Sequence, residues 1–113
     1  MALRSRLFSG NAALEACLVD DRAHLTPGTR GAHVSLVQQA LVYLGYNKIT
    51  GPEYLEGHYG PTTTNAVLRF KTDRRIINYS YQTQPDNIVG KMTIARLDEE
   101  MLMFLNMPAP RRV

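Results

Sequence analysis

A chain of 113 residues suffices for one domain that buries roughly 65% of the surface its unfolded form exposes, and it is too short for two independent cores. With 44% hydrophobic and 20% charged residues, it has too much apolar material for a disordered chain. The formal charge of +3 rests on 13 Lys and Arg against 10 Asp and Glu, but the bases are scattered, pairing only at Arg74-Arg75 and Arg111-Arg112. That excludes the basic stripe with interleaved aromatics of a nucleic-acid binder.

The first 27 residues read as an extension. "MALRSRLFSGNAALEACLVDD" has basic residues at Arg4 and Arg6 but no h-region of secretory length before Asp20 and Asp21, so no Sec-type signal is visible. Leu14, Ala16, Cys17, Leu18 and Val19 form an apolar patch suited to a short helix laid across the core. Cys17 is the only cysteine, which excludes an intrachain disulfide. No stretch approaches the length of a membrane span.

Three helices follow by periodicity. Over about 33 to 44, Val34, Val37, Leu41 and Leu44 recur at intervals of three and four, with Leu36 and Ala40 widening the stripe and Gly45 stopping it. Over about 62 to 74, Thr63, Ala66, Val67 and Phe70 share one side, with Gly60 and Pro61 at the entry. Over about 91 to 105, Ile94, Leu97, Met101, Phe104 and Leu105 form a wide apolar face, and "MPAPRRV" beyond it reads as the start of a linker. The stretches 45 to 60 and 75 to 90 read as loops longer than simple connections need.

One grammar occurs twice. "EGHYGPTT" at 56 to 63 and "DNIVGKMT" at 86 to 93 both run from an acid through an apolar residue and a Gly to a Thr that leads into a helix. Glu56 and Asp86, with the Thr63 and Thr93 hydroxyls, are thereby available to satisfy loop or helix N-terminal amides.

These residues resemble the bacterial peptidoglycan-binding domain of the three-helix type. The resemblance is carried by Gly31, Val34, Val37, Gln38, Leu41, Leu44, Gly45 and Tyr46, then by Gly57, Tyr59, Gly60, Pro61 and Thr63, then by Ala66, Val67 and Phe70, and finally by Asp86, Gly90 and Thr93. Glu56 stands where the family has Asp, Lys71 where it has Gln, Asn87 where it has the second Gly and Lys91 where it has Pro. The run from Phe70 to Asp86 is also longer than in the family and contains "NYSYQTQ". The resemblance covers about 28 to 105. It implies an all-α fold, a small three-helix orthogonal bundle with long connecting loops, preceded by the extension at 1–27 and followed by a linker or tail at 106–113.

What the resemblance implies for function is non-catalytic binding of cell-wall peptidoglycan, either the glycan strand or the stem peptide, that targets an attached domain to the wall. The alternative is a protein-interaction or effector-loading domain that keeps the helices and changes the groove. Aromatic faces, amides, hydroxyls and an occasional cation are what a wall fragment calls for. The candidate contacts are Tyr46, His58, Tyr59, Arg69, Tyr79, Tyr81, Gln82 and Asn87, while Arg74 on the polar side of the second helix reads as a solvated cation. Tyr59, in the family's apolar slot, also reads as core.

Catalytic chemistry finds no support, because His24, His33 and His58 have no metal-ligand spacing and nothing pairs with Cys17 as a nucleophile–base unit. No cofactor and no metal is expected. The partners expected are peptidoglycan and a C-terminal catalytic or toxin domain, with the domain itself monomeric. A stop codon directly after Val113 in the natural reading frame would refute the fused domain. The expected location is the periplasm or cell wall, reached without a signal peptide, as a type VI secretion effector would reach it.

Overall fold

The computed structural model describes residues 3–77 and 86–106 and is all-α, with helices α1 (Ala12–Cys17), α2 (Ala32–Tyr43), α3 (Gly51–Glu56), α4 (Pro61–Arg74) and α5 (Lys91–Asn106). The three helices expected from periodicity are α2, α4 and α5. Gly60 and Gly90 stand immediately before α4 and α5, as the duplicated turns require.

Each long helix buries the stripe its sequence spells. Val34, Val37, Ala40 and Leu41 of α2, Thr63, Ala66, Val67 and Phe70 of α4, and Ile94, Leu97 and Met101 of α5 are all buried. Phe104 falls off this face, exposed and ring to ring with Tyr43 at 5.5 Å. The side chain of Leu105 lies outside the described residues. The N-terminal segment adds Leu3, Phe8, Leu14 and Cys17 to the same cluster. It is pinned there by Asp98 of α5, whose carboxylate accepts the amides of Arg4 at 2.9 Å and Ser5 at 2.8 Å. Burial pushes the Cys17 thiol up to about 11, so it behaves as a small apolar side chain that donates to Val89 O.

The segment from Leu25 to Gly31 is a strap to which both repeated turns attach. Leu25 forms an antiparallel bridge with Val89, and Arg30 one with His58. Gly28 N–H donates to Tyr59 O at 2.8 Å, and Gly31 N–H to Gly57 O at 3.0 Å. The approach at Gly57 is so close that a Cβ there would lie 2.5 Å from Gly31 O, on a backbone already at φ 60°. Gly57 therefore has a steric reason to be glycine.

The stretch 45 to 60 differs from its reading as a loop, because α3 lies inside it. This helix has no apolar stripe, and Leu55 on it is 84% exposed. Its main tie to α4 is one side chain. Glu53 lies at the N-terminus of α4 and accepts from Gly60 N at 3.1 Å, Thr62 N at 3.0 Å, Thr63 N at 2.8 Å and Thr63 Oγ1 at 2.8 Å. The first turn of α4 thus has its orphan amides satisfied by a carboxylate borrowed from another helix.

Candidate functional site

The candidate surface is built from the end of α2 and one side of α4. At the end of α2, Gly45 adopts φ 99°, Gly45 N–H donates to Val42 O and Tyr46 N–H donates to Leu41 O, the doubled bond of a Schellman stop. This reversal delivers Tyr46, Asn47 and Lys48 alongside α4. On α4 itself, Thr62, Asn65, Ala66 and Arg69 are three or four residues apart and so share a face. Thr62 Oγ1 accepts Thr50 N–H at 3.0 Å, which ties the returning chain to the helix.

Between them lies a groove of about 230 Å³, floored by Gly45, Tyr46 and Ala66 and rimmed by Asn47, Lys48, Thr62, Asn65 and Arg69. The Tyr46 ring is fixed from three sides. It meets Phe70 edge-on at 5.7 Å, its hydroxyl donates to Asp73, and that hydroxyl accepts from Arg74 Nη1 at 3.0 Å. Burial raises its pKa, and the Asp73 contact adds to the rise.

Arg74 is not the solvated cation its place on α4 suggests. Its guanidinium makes two 2.7 Å bonds to Glu100 and lies 4.8 Å from the Phe70 ring centroid. The hydrogen bonds to Glu100 hold its pKa above the ordinary guanidinium value, and the same contacts lower that of Glu100.

Of the residues singled out from sequence, the structure brings Tyr46 and Arg69 together in this groove. Tyr59 is 1% exposed, too deep for a ligand contact; its hydroxyl donates to Asn87 O and links the two turns. Its pKa is raised by burial first and by the Asp86 charge second. His58 lies in the turn against the strap and does not line the groove, nor does Asn87. Tyr79, Tyr81 and Gln82 lie outside the described residues.

Glu56 is not the capping acid. Its carboxylate pairs with Arg30 on the surface at 3.2 Å, and Glu53, three residues earlier, does the capping. The second turn keeps the expected arrangement, since Asp86 accepts Ile88 N–H at 3.1 Å. Lys71 reaches into that turn, donating to Asp86 and to Ile88 O at 2.8 Å. Gln38 does the same in the first turn, donating to His58 O at 3.0 Å and Thr63 Oγ1 at 2.9 Å. The lysine thus fills the place of the family's glutamine, with a charge answered by Asp86.

Sequence reasoning missed Asn47, Lys48, Thr62 and Asn65 as lining residues. The spacing of 62, 65 and 69 along α4 was the available signal. It also missed Glu53: Thr50-x-x-Glu53 has the spacing of a capping box for α3, but Thr50 makes no side-chain cap bond and the Glu53 carboxylate serves α4 instead. A second concavity, about 580 Å³, lies between the N-terminal segment and α5, with Leu3, Leu18, Val19, Met92 and Leu102 making it mainly apolar. Among the described residues, no three His, Cys, Asp or Glu side chains cluster as a metal site, and no helix is long and apolar enough to cross a membrane.

Comparison with known proteins bears on the family. The family model of the peptidoglycan binding domain matches residues 30–97, which take in the end of the strap, both repeated turns, all of α2 and α4 and the first part of α5. The type VI secretion system spike protein VgrG3 of Vibrio cholerae serotype O1 is 30% identical over 107 residues, covering 88% of this chain. The match takes in 10% of that protein, so the chain spans about a tenth of its length. No solved structure matches.

Proposed function

Because the chain belongs to the peptidoglycan-binding domain family, whose members bind without catalysis, we propose that the groove between the 45–48 turn and α4 is where it holds peptidoglycan. The observation that carries this reading is the convergence of a locked aromatic, two amides, a hydroxyl and two cations on one concave face. The concavity beside α5 is lined mostly by aliphatic side chains and has no aromatic ring, with Arg4, Lys91, Asp98 and Glu99 as its charged members.

Sedimentation of the full chain with insoluble sacculi tests it. Wild-type protein is expected in the pellet at roughly 0.15 M salt, where the Debye length of about 8 Å has already weakened diffuse attraction by a charge of +3. Asn65→Trp, an exposed substitution that fills the groove, is expected to cut the bound fraction at least fivefold with unchanged helical circular dichroism. If wild type stays in the supernatant with sacculi from several species, the wall reading fails. If Asn65→Trp sediments like wild type, the site lies elsewhere.

The role of the domain, in this reading, is to bring an attached or partner domain to the wall, with the chain exported by a type VI apparatus. The support is the 30% identity to a spike protein. Its appearance in culture supernatant of wild-type cells and its loss from a type VI-deficient strain is the expected result; equal secretion by both strains would remove this route.

A further inference from the structure

Several cations among the described residues are answered by an acid. Arg22 pairs with Asp20, Arg30 with Glu56, Lys71 with Asp86, and Arg74 and Arg96 both with Glu100. Lys48 and Arg69 differ. Both line the groove, both are exposed, and neither has an ion-pair or hydrogen-bond partner among the described residues. No acid is among the groove's lining residues.

Asp73, beside the floor, is engaged with the Tyr46 hydroxyl. The groove therefore presents two uncompensated positive charges flanked by the amides of Asn47 and Asn65. Among the lining side chains the charged groups are both donors, and acceptors come only from the amide oxygens of Asn47 and Asn65 and from hydroxyls, a balance that suits an anionic ligand better than a neutral sugar. The Tyr46 ring is also a poor sugar platform, because the Arg74 guanidinium already lies 5.9 Å from its centroid.

We propose that the groove recognises a carboxylate of the peptidoglycan stem peptide rather than the glycan strand. Arg69 and Lys48 take the carboxylate, and the side-chain amides of Asn47 and Asn65 take the neighbouring peptide bond. Charge-assisted bonds of this type are roughly twice as strong as neutral ones, and a planar guanidinium suits a carboxylate. A volume of about 230 Å³ accommodates one or two peptide units and no more. The inference rests on the wall-binding reading and narrows its ligand.

The test is a titration of the full chain with three soluble probes: a disaccharide tetrapeptide, the same compound with its carboxylates amidated, and the disaccharide without peptide. Sedimentation with intact sacculi runs in parallel. Amidation is expected to weaken wild-type binding at least fivefold, with the peptide-free disaccharide weaker still. The double variant Lys48→Gln/Arg69→Gln is expected to lose tenfold or more on the free acid and little on the amidated probe. Arg6→Gln/Arg22→Gln, which removes the same charge away from the groove, is expected to bind like wild type.

Equal binding of acid and amide, or an equal loss in the Arg6/Arg22 control, would overturn the carboxylate inference while leaving wall binding in place. Full binding of the peptide-free disaccharide would do the same and return the glycan strand as ligand. Failure of wild type with all three probes and with sacculi would remove the wall reading and the inference together.

Discussion

Glu53→Gln is expected to destabilise the domain by roughly 3 kcal/mol at pH 7 and to remove part of its sensitivity to acid. Burial by itself would raise the Glu53 pKa, but the hydrogen bonds donated by Thr62 and Thr63 outweigh it and hold the carboxyl at about 2, below its ordinary 4.5. A depression of this size corresponds to about 3 kcal/mol of differential interaction between the charged and neutral forms. The sign follows from linkage. A folded-state pKa below the unfolded one contributes stability that is fully present above about 4.5 and lost as pH falls toward 2. Glutamine keeps one oxygen acceptor but turns an amide toward donors already present, Gly60 N–H, Thr62 N–H and Thr63 N–H. Chemical denaturation at pH 7, 4.5 and 2.5 reads both effects. The gap between wild type and variant should be widest at pH 7 and close as the wild-type carboxylate protonates. A gap independent of pH would mean that Glu53 acts by shape alone, and no gap would mean that α4 does not need its cap.

This carboxylate also marks where the sequence was legible and where it was not. Helices α2, α4 and α5 carry a stripe at intervals of three and four, and burial follows that stripe, so the hydrophobic effect wrote them into the pattern. Helix α3 carries no stripe. It is tied to the next helix mainly by polar bonds from one side chain, and such an element leaves no period to read. The repeated turn was legible as grammar, and Gly60 and Gly90 stand before α4 and α5 where it requires. The role of its acid was not, because Glu56 and Glu53 are both acids near the turn and only the geometry of α3 decides which one faces α4. Leu3 and Phe8 escaped for a similar reason: they lie in irregular chain and owe their burial to the anchoring of Arg4 and Ser5 by Asp98, about 93 positions away. In the groove, Tyr46 and Arg69 were legible through position, while Lys48 became notable only when its lack of a counter-ion was visible.

Phe70 connects that groove to the core, and its substitution is expected to have the largest effect on stability in the molecule. Its ring is fully buried, and Phe70→Ala is expected to cost about 4 kcal/mol, from lost transfer energy and from the cavity left behind. Phe70→Leu separates stability from recognition. Leucine restores most of the apolar contact but lacks the ring that meets Tyr46 edge-on at 5.7 Å and lies 4.8 Å from the Arg74 guanidinium. Edge-to-face pairs contribute about 0.5–1.5 kcal/mol, and a partly shielded cation–π contact about 1 kcal/mol. Phe70→Leu should therefore lose about 2 kcal/mol and remain folded. The Tyr46 ring, freed of its packing but still tethered through its hydroxyl, then floors a groove of altered shape, and sedimentation with sacculi should fall several-fold in a protein whose circular dichroism matches wild type. Denaturant midpoints for both variants and sedimentation for Phe70→Leu are the measurements. Wild-type sedimentation by a destabilised Phe70→Leu would show that recognition does not depend on how Tyr46 is packed, and would leave the rim residues Lys48, Asn65 and Arg69 to carry it alone.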